Sequence, residues 1–357
     1  MNTTLELSEL DAKIGQLFMI GLPGPEMDGE TAALIRDHNP GGVILFSRNI
    51  EDPVQVARLC RDLQKTAKDG EGFPLFLAVD QEGGRVARLK EPFTTFPGNA
   101  AIGAASDPIG RAEEFAQVTA EEMKLVGLNM DMAPVMDVQR GELEKHLVGR
   151  TFGEDPEMVA RLGCAVIRTM QAEGVMAVAK HFPGLGLASL DPHFELPRID
   201  ADRAEIEGVN LPPFKAAIDE GVSAIMTSHA VYPALDPDLP ATLSSSVLVE
   251  LLRKKMGFEG LIISDDLEMG AIAKTWGVAE GAVAAFAAGS DVQLVCEDQS
   301  HFLEGMKLIR GRLLQGRIPF QRLQESYGRI QGAKERFLRQ QGRVVLARVR
   351  EHFKLNA

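Results

Sequence analysis

Lys180-His181-Phe182-Pro183-Gly184-Leu185-Gly186 closes a short apolar run, and Asp191-Pro192-His193 follows soon after it. A lysine and a histidine at the end of a buried run are costly unless they are paired or used. Gly184 and Gly186 begin a loop with unusual backbone freedom. An Asp two residues before a His in an extended loop lets the carboxylate orient the imidazole and stabilise its charged form. Asp191 and His193 can thus make an acid/base dyad suited to neutral pH. The competing reading is a solvated loop histidine. A second segment, Asp80-Gln81-Glu82-Gly83-Gly84-Arg85-Val86-Ala87-Arg88, sets acids, two glycines and two arginines behind another apolar run. A carboxylate there can accept two hydrogen bonds from adjacent hydroxyls of a polyol, and Arg88 can donate a fork of them. A structural Asp–Arg pair is the alternative. The third segment, Leu261-Ile262-Ile263-Ser264-Asp265-Asp266-Leu267-Glu268-Met269, places two acids after a buried run. One of them can be a nucleophile and the other a helix cap, with each carboxyl shifting its neighbour. Both can equally be caps or turn formers.

Short apolar runs recur along the chain at Leu17–Gly21, Gly42–Phe46, Leu75–Val79, Asn129–Val135, Val175–Ala179, Ser223–Thr227, Leu261–Ser264 and Ser290–Val295. Several are apolar at consecutive positions, as expected of strands covered on both faces. Helix-like segments fall between them, among them Val54–Thr66, Ala112–Val126, Glu157–Glu173, Leu211–Glu220 and Val278–Ala288. This alternation predicts an α/β fold, a single (β/α)8 TIM-like barrel with extra C-terminal helices. A doubly wound sheet is the rival, but no GxGxxG follows an early run. The polar groups sit where a barrel needs them. Asp80-Gln81-Glu82, Lys180-His181, Ser228-His229 and Asp265-Asp266 end apolar runs, and the Asn129–Val135 run carries Asp131 and is followed by Asp137. C-terminal strand ends build the active site of such a barrel, so five polar ends predict one shared pocket.

The 357 residues are 45% hydrophobic and 25% charged, an ordinary globular composition. Lys and Arg number 38 against 51 Asp and Glu, a formal charge of −13. That balance speaks against nucleic-acid or anionic-membrane partners, which call for a cationic face. Three scattered cysteines, Cys60, Cys164 and Cys296, suggest reduced thiols and a cytoplasmic compartment. The N-terminal residues show no signal-peptide pattern, and no run is long and apolar enough for a transmembrane helix. Residues 1–340 read as the barrel domain and 341–357 as a basic helical tail.

The motifs DQEGGRVAR, GRTFGEDP, KHFPGLG with DPH, and ISDDLEM, in this order, resemble the family-3 glycoside hydrolases. More narrowly, they are similar to the family's bacterial β-N-acetylglucosaminidases (β-hexosaminidases). IGQLFMIG, GGVILFSRNI, LNMDMAPVMDV and MTSHAVYPALD extend the resemblance from about Ile14 to about Lys334. It implies a TIM-like barrel and a set of residue roles. Asp265 matches the catalytic nucleophile, His193 an unusual histidine acid/base, and Asp191 its partner. Asp80, Arg88, Arg150, Lys180 and His181 match positions that bind the N-acetylglucosaminyl ring. Asp266 and Glu268 match no catalytic role.

The implied reaction is two-step, with His193 replacing the acid/base carboxylate usual in retaining glycosidases. The implied substrates are GlcNAc glycosides, with muropeptides of cell-wall recycling the specific expectation for a monomeric cytoplasmic enzyme. No metal or cofactor is required, and no cluster has the spacing of a zinc site. Three departures from relatives stand out. Leu185 occupies a position often held by His, Pro192 one often held by Ser, and QRGELEKHLVGR replaces an Asn-Pro-rich turn. The alternatives are a β-glucosidase or a GlcNAc phosphorylase on the same fold, or a non-catalytic sugar-binding homologue.

Overall fold

The computed structural model describes residues 7–355, apart from 71, 142, 143, 189, 340 and 341. The outer limits of the two sequence-assigned ranges, including the 340/341 boundary, therefore lie outside the described residues. Eight strands close into a barrel: β1 (Phe18–Gly21), β2 (Gly42–Leu45), β3 (Phe76–Val79), β4 (Met130–Asp131), β5 (Met176–Phe182), β6 (Ala224–Thr227), β7 (Leu261–Asp266) and β8 (Val292–Val295). Neighbours in space are neighbours in sequence, every pair is parallel, and β1 closes onto β8. The apolar strand residues are buried throughout, since helices cover the outer face and facing side chains fill the inner one.

A helix precedes the barrel, α1 (Leu7–Gly15), and others join or follow its strands: α2 (Gly29–His38), α3 (Pro53–Asp69), α4 (Pro108–Val126), α5 (Pro156–Ala172), α6 (Leu211–Asp219), α7 (Ser246–Lys255, wound as a π-helix), α8 (Val278–Ala288), α9 (Gln299–Leu314), α10 (Phe320–Leu338) and α11 (Leu346–His352). Their starts follow from local chemistry. Asp28, Asp52, Asp107, Asp155 and Asp298 accept hydrogen bonds from first-turn N–H groups, and proline opens α3, α4 and α5. The basic tail folds back as α11, burying Val349 and setting Phe353 edge-on to Phe93 at 4.7 Å.

The sequence-predicted strands all form, with shifted ends. The Asn129–Val135 run pairs as a strand over Met130–Asp131 alone. Pro134 has no N–H to give a ladder, and Val135 makes an isolated bridge to Lys180. β5 and β7 instead run past their apolar residues, through Lys180-His181-Phe182 and Asp265-Asp266.

Candidate active site

The C-terminal ends of the strands carry the polar groups inward. Asp80 follows β3, and the chain after it forms a small antiparallel hairpin, Gln81–Gly83 with Val86–Ala87. Gly83 and Gly84 both take positive φ there, and a Cβ on Gly84 would meet the Pro97 carbonyl at 3.0 Å. Only glycine turns the chain so tightly against the 96–98 segment at low cost.

Lys180 emerges from β5 almost fully buried. Its ammonium lies 2.8 Å from Asp80 and 2.7 Å from Glu82. Glu82 also takes both prongs of the Arg150 guanidinium at 2.8 Å, and Arg88 reaches the second oxygen of Asp80 at 3.4 Å. Burial alone would raise both carboxyls, but Lys180 and Arg88 beside Asp80, and Lys180 and Arg150 beside Glu82, outweigh it. Both acids stay below the ordinary carboxylate range. The same pairing overcomes burial at Lys180 and raises its amine. The result is a preformed rack of fixed charges facing the barrel mouth, suited to a polyhydroxylated ligand. Asp131 beneath it is the opposite case: burial pushes its carboxyl well up, and the bond from the Gln81 N–H does not compensate.

His181, next on β5, bonds through Nδ1 to buried Asp137 at 2.7 Å. Asp137 also accepts the N–H of Leu185 at 2.7 Å. Leu185 is thus buried and takes part through its backbone. Gly186 then passes so near the chain that a Cβ would lie 1.8 Å from the Val138 carbonyl. Beyond it, Asp191 Oδ1 accepts from His193 Nδ1 at 2.6 Å and from the His193 N–H at 3.0 Å. Burial would raise the Asp191 carboxyl, but both His193 bonds overcome it and hold it low. The imidazole is 56% exposed. The carbonyls of Pro192 and His193 accept from Ala271 and Gly270, so the loop rests on the short helix after β7.

Asp265 is the next-to-last residue of β7, with Oδ1 accepting the next residue's N–H at 2.9 Å. Burial, then the charges of Glu268 and Asp265, push the Asp266 carboxyl up to about 7. His229, after β6, donates to the Asp266 carbonyl at 2.9 Å and bonds Thr242 on its other nitrogen. Its own charged form is disfavoured by burial, and it feels the charges of Asp265, His181 and His193. His229 therefore braces the strand end that carries Asp265. Glu268 faces away from this chemistry: it accepts the N–H groups of Cys296 and Asp298 and bonds His301 at 2.7 Å, capping the turn after β8.

The sequence-derived residues thus fall into linked groups. Asp80, Arg88, Arg150 and Lys180 share one ion network, Asp191 pairs with His193, and Asp265 lies near the end of the strand braced by His229. Glu82, Asp137 and His229, which the sequence places at polar strand ends without a role, gain partners here: Arg150 and Lys180, His181, and the Asp266 carbonyl. Glu82 was legible as an acid behind an apolar run, but its two cationic partners come from distant segments. Arg85 is structural, donating to the Lys145 carbonyl. Among the described residues, Glu144, His146 and Asp191 alone place three metal-type ligand atoms within 4.8 Å of one another.

Glu82→Gln tests the network. Removing one partner of a buried ion pair costs about 3–5 kcal/mol, read as a lower urea midpoint with a raised KM. The depressed acids stabilise the fold fully above their unfolded values, and this is lost as pH falls through the lower folded values. The gap between wild type and Glu82→Gln should therefore stay constant above about pH 5 and close on acidification. A gap that widens in acid would contradict the charge assignment.

The Glycosyl hydrolase family 3 N terminal domain matches residues 9–333. A Beta-hexosaminidase of Pseudomonas aeruginosa is 40% identical over 287 residues, 79% of this chain and 82% of that one. Beta-hexosaminidase A of Pseudoalteromonas piscicida is 36% identical over 282 residues, and the match covers 74% of this chain but 47% of that relative. The solved glycoside hydrolase family 3 beta-N-acetylglucosaminidase from Paenibacillus sp. str. FPU-7 superposes with a TM-score of 0.92 at 38% identity. That match covers 98% of this chain and 68% of that one. Among the described residues, no helix is long and apolar enough to cross a membrane.

Proposed function

We propose, from the premise that the chain belongs to glycosyl hydrolase family 3, that it is a retaining exo-β-N-acetylglucosaminidase. The observation that carries the reading is the Asp191–His193 bond at 2.6 Å on the loop after β5, the strand that carries Lys180, in a barrel whose β7 carries Asp265 near its C-terminal end. The Paenibacillus relative is a beta-N-acetylglucosaminidase and the Pseudomonas relative a Beta-hexosaminidase, which supports the same class of sugar here.

Asp80, Arg88, Arg150, Lys180 and His181 hold the terminal sugar through its hydroxyl and acetamido groups. Asp265 attacks the anomeric carbon as His193 protonates the glycosidic oxygen. With Nδ1 turned to Asp191, His193 works through Nε2. The leaving group departs, and the sugar is held covalently on Asp265. His193, now neutral, takes a proton from water at Nε2, and the water displaces Asp265 with overall retention. A neutral base avoids placing a second anion beside the nucleophile. Asp191 stabilises the imidazolium in both steps.

The finer assignment is to muropeptides of cell-wall recycling in the cytoplasm, with a GlcNAc unit released from an anhydro-muramic aglycone. It is supported by the motif resemblance, and its cytoplasmic part by the three scattered cysteines. The test is product analysis on GlcNAc and glucose β-glycosides, with and without phosphate. Free GlcNAc in both buffers is expected. Preference for glucose would overturn the sugar assignment, and a sugar 1-phosphate would overturn hydrolysis.

A further inference from the structure

Beside the Asp191–His193 dyad lies a second acid–histidine pair built to the same pattern. Glu144 Oε2 accepts from His146 Nδ1 at 2.7 Å and from the His146 N–H at 2.8 Å, as Asp191 Oδ1 accepts from His193. Both acids stand two residues before their histidines. The two rings meet edge to face, centroids 6.3 Å apart at 76°. His146 is 6% exposed, and its Nε2 is buried with no hydrogen-bond partner among the described residues. Leaving a buried polar atom unpaired costs ~1–3 kcal/mol, so stability alone is a poor reason for a histidine here.

The segment is tied to the sugar rack. Arg150, gripped by Glu82, donates to the His146 carbonyl at 3.2 Å, and Arg85 donates to that of Lys145. Leu147 anchors the turn in the core. The dyad loop therefore touches two supports, the Gly270–Ala273 helix and the His146 ring.

Resting on the mechanism above, we propose that the Glu144–His146 pair is a positioning device that seats the acid/base loop, holding Asp191 and His193 in register with the bound sugar. Glu144 fixes the ring, the ring supplies a wall for His193, and Arg150 carries sugar occupancy and loop position on one rigid segment. His146 acts through His193, which its ring meets edge to face.

The test compares wild type, His146→Ala, His146→Phe and Glu144→Gln on GlcNAc β-glycosides with methyl and 4-nitrophenyl leaving groups. A misplaced acid hurts most where the leaving oxygen needs its proton. His146→Ala should lose about 10–100-fold in kcat on the methyl glycoside, clearly less in bond cleavage on the 4-nitrophenyl glycoside, with KM little raised. Azide, which needs no general base, should partly restore 4-nitrophenyl turnover and give the β-glycosyl azide. Phe keeps the wall and should recover most of the loss. An equal loss on both substrates without azide response, or no loss, would overturn the proposal. Hydrogen exchange of the 190–197 peptide reads the seat without turnover. Faster exchange in His146→Ala is expected, and unchanged exchange counts against the seat. A wild type inactive on every GlcNAc glycoside would strike the mechanism, while faster exchange would leave the seat standing.

Discussion

Asp265→Ala should lower kcat/KM for 4-nitrophenyl β-N-acetylglucosaminide by ~3–5 powers of ten, about 4–7 kcal/mol of transition-state stabilisation. A smaller loss would require another group to take over the attack, and the neighbouring acid is poorly placed to do so. Burial and the charge of Glu268 still favour the neutral form of the Asp266 carboxyl once Asp265 is gone, which makes it a weaker nucleophile than an ionised carboxylate. Its Oδ1 is also engaged by the Glu268 N–H at 3.1 Å. Azide diffusing into the space left by Asp265 should restore part of the rate by one direct displacement, which inverts the anomeric centre and yields an α-glycosyl azide. A β-azide, or a loss below about tenfold, would show that the nucleophile is elsewhere. Normal folding of the variant is expected, since among the described residues the Asp265 side chain accepts a hydrogen bond only from its own neighbour.

The barrel was legible because eight apolar runs at near-regular spacing are what doubly covered parallel strands require. Their ends were less so, for a reason tied to function. β5 and β7 extend into Lys180-His181 and Asp265-Asp266, where the side chains serve the site and the apolar pattern has already stopped. β4 fails in the other direction, since Pro134 interrupts a run whose composition stays apolar. Individual polar residues were legible by position at strand ends, but their partners were not. Glu82 with Arg150, and Asp137 with His181, are separated by 68 and 44 residues, and only the closed barrel brings them together. The acid–histidine pairs at two-residue spacing are local, yet the approach of His146 to His193 depends on two loops from different strands.

His193→Ala should show a different signature from the nucleophile variant. On a disaccharide, whose leaving oxygen must be protonated, the loss should reach ~3–5 powers of ten. On the 4-nitrophenyl glycoside the first step needs little proton transfer, so Asp265 should still form its covalent sugar. The second step then stalls, because water lacks its base. A burst of 4-nitrophenol equal to the enzyme concentration should precede a slow steady state, with kcat and KM falling together. Azide should lift that steady state and give the β-glycosyl azide, the product of two inversions. Asp191→Asn should fall between wild type and His193→Ala, because the ring loses its anionic partner at 2.6 Å but keeps its own nitrogen. The geometry makes this separable from simple disruption. His193 is 56% exposed, and its loop rests on the Gly270–Ala273 helix through backbone carbonyls that alanine retains. Robust cleavage of the disaccharide by His193→Ala would assign the acid/base to another residue. His181 is a poor substitute, because it is buried on β5 and, unlike exposed His193, sits on a strand rather than on the loop over the site.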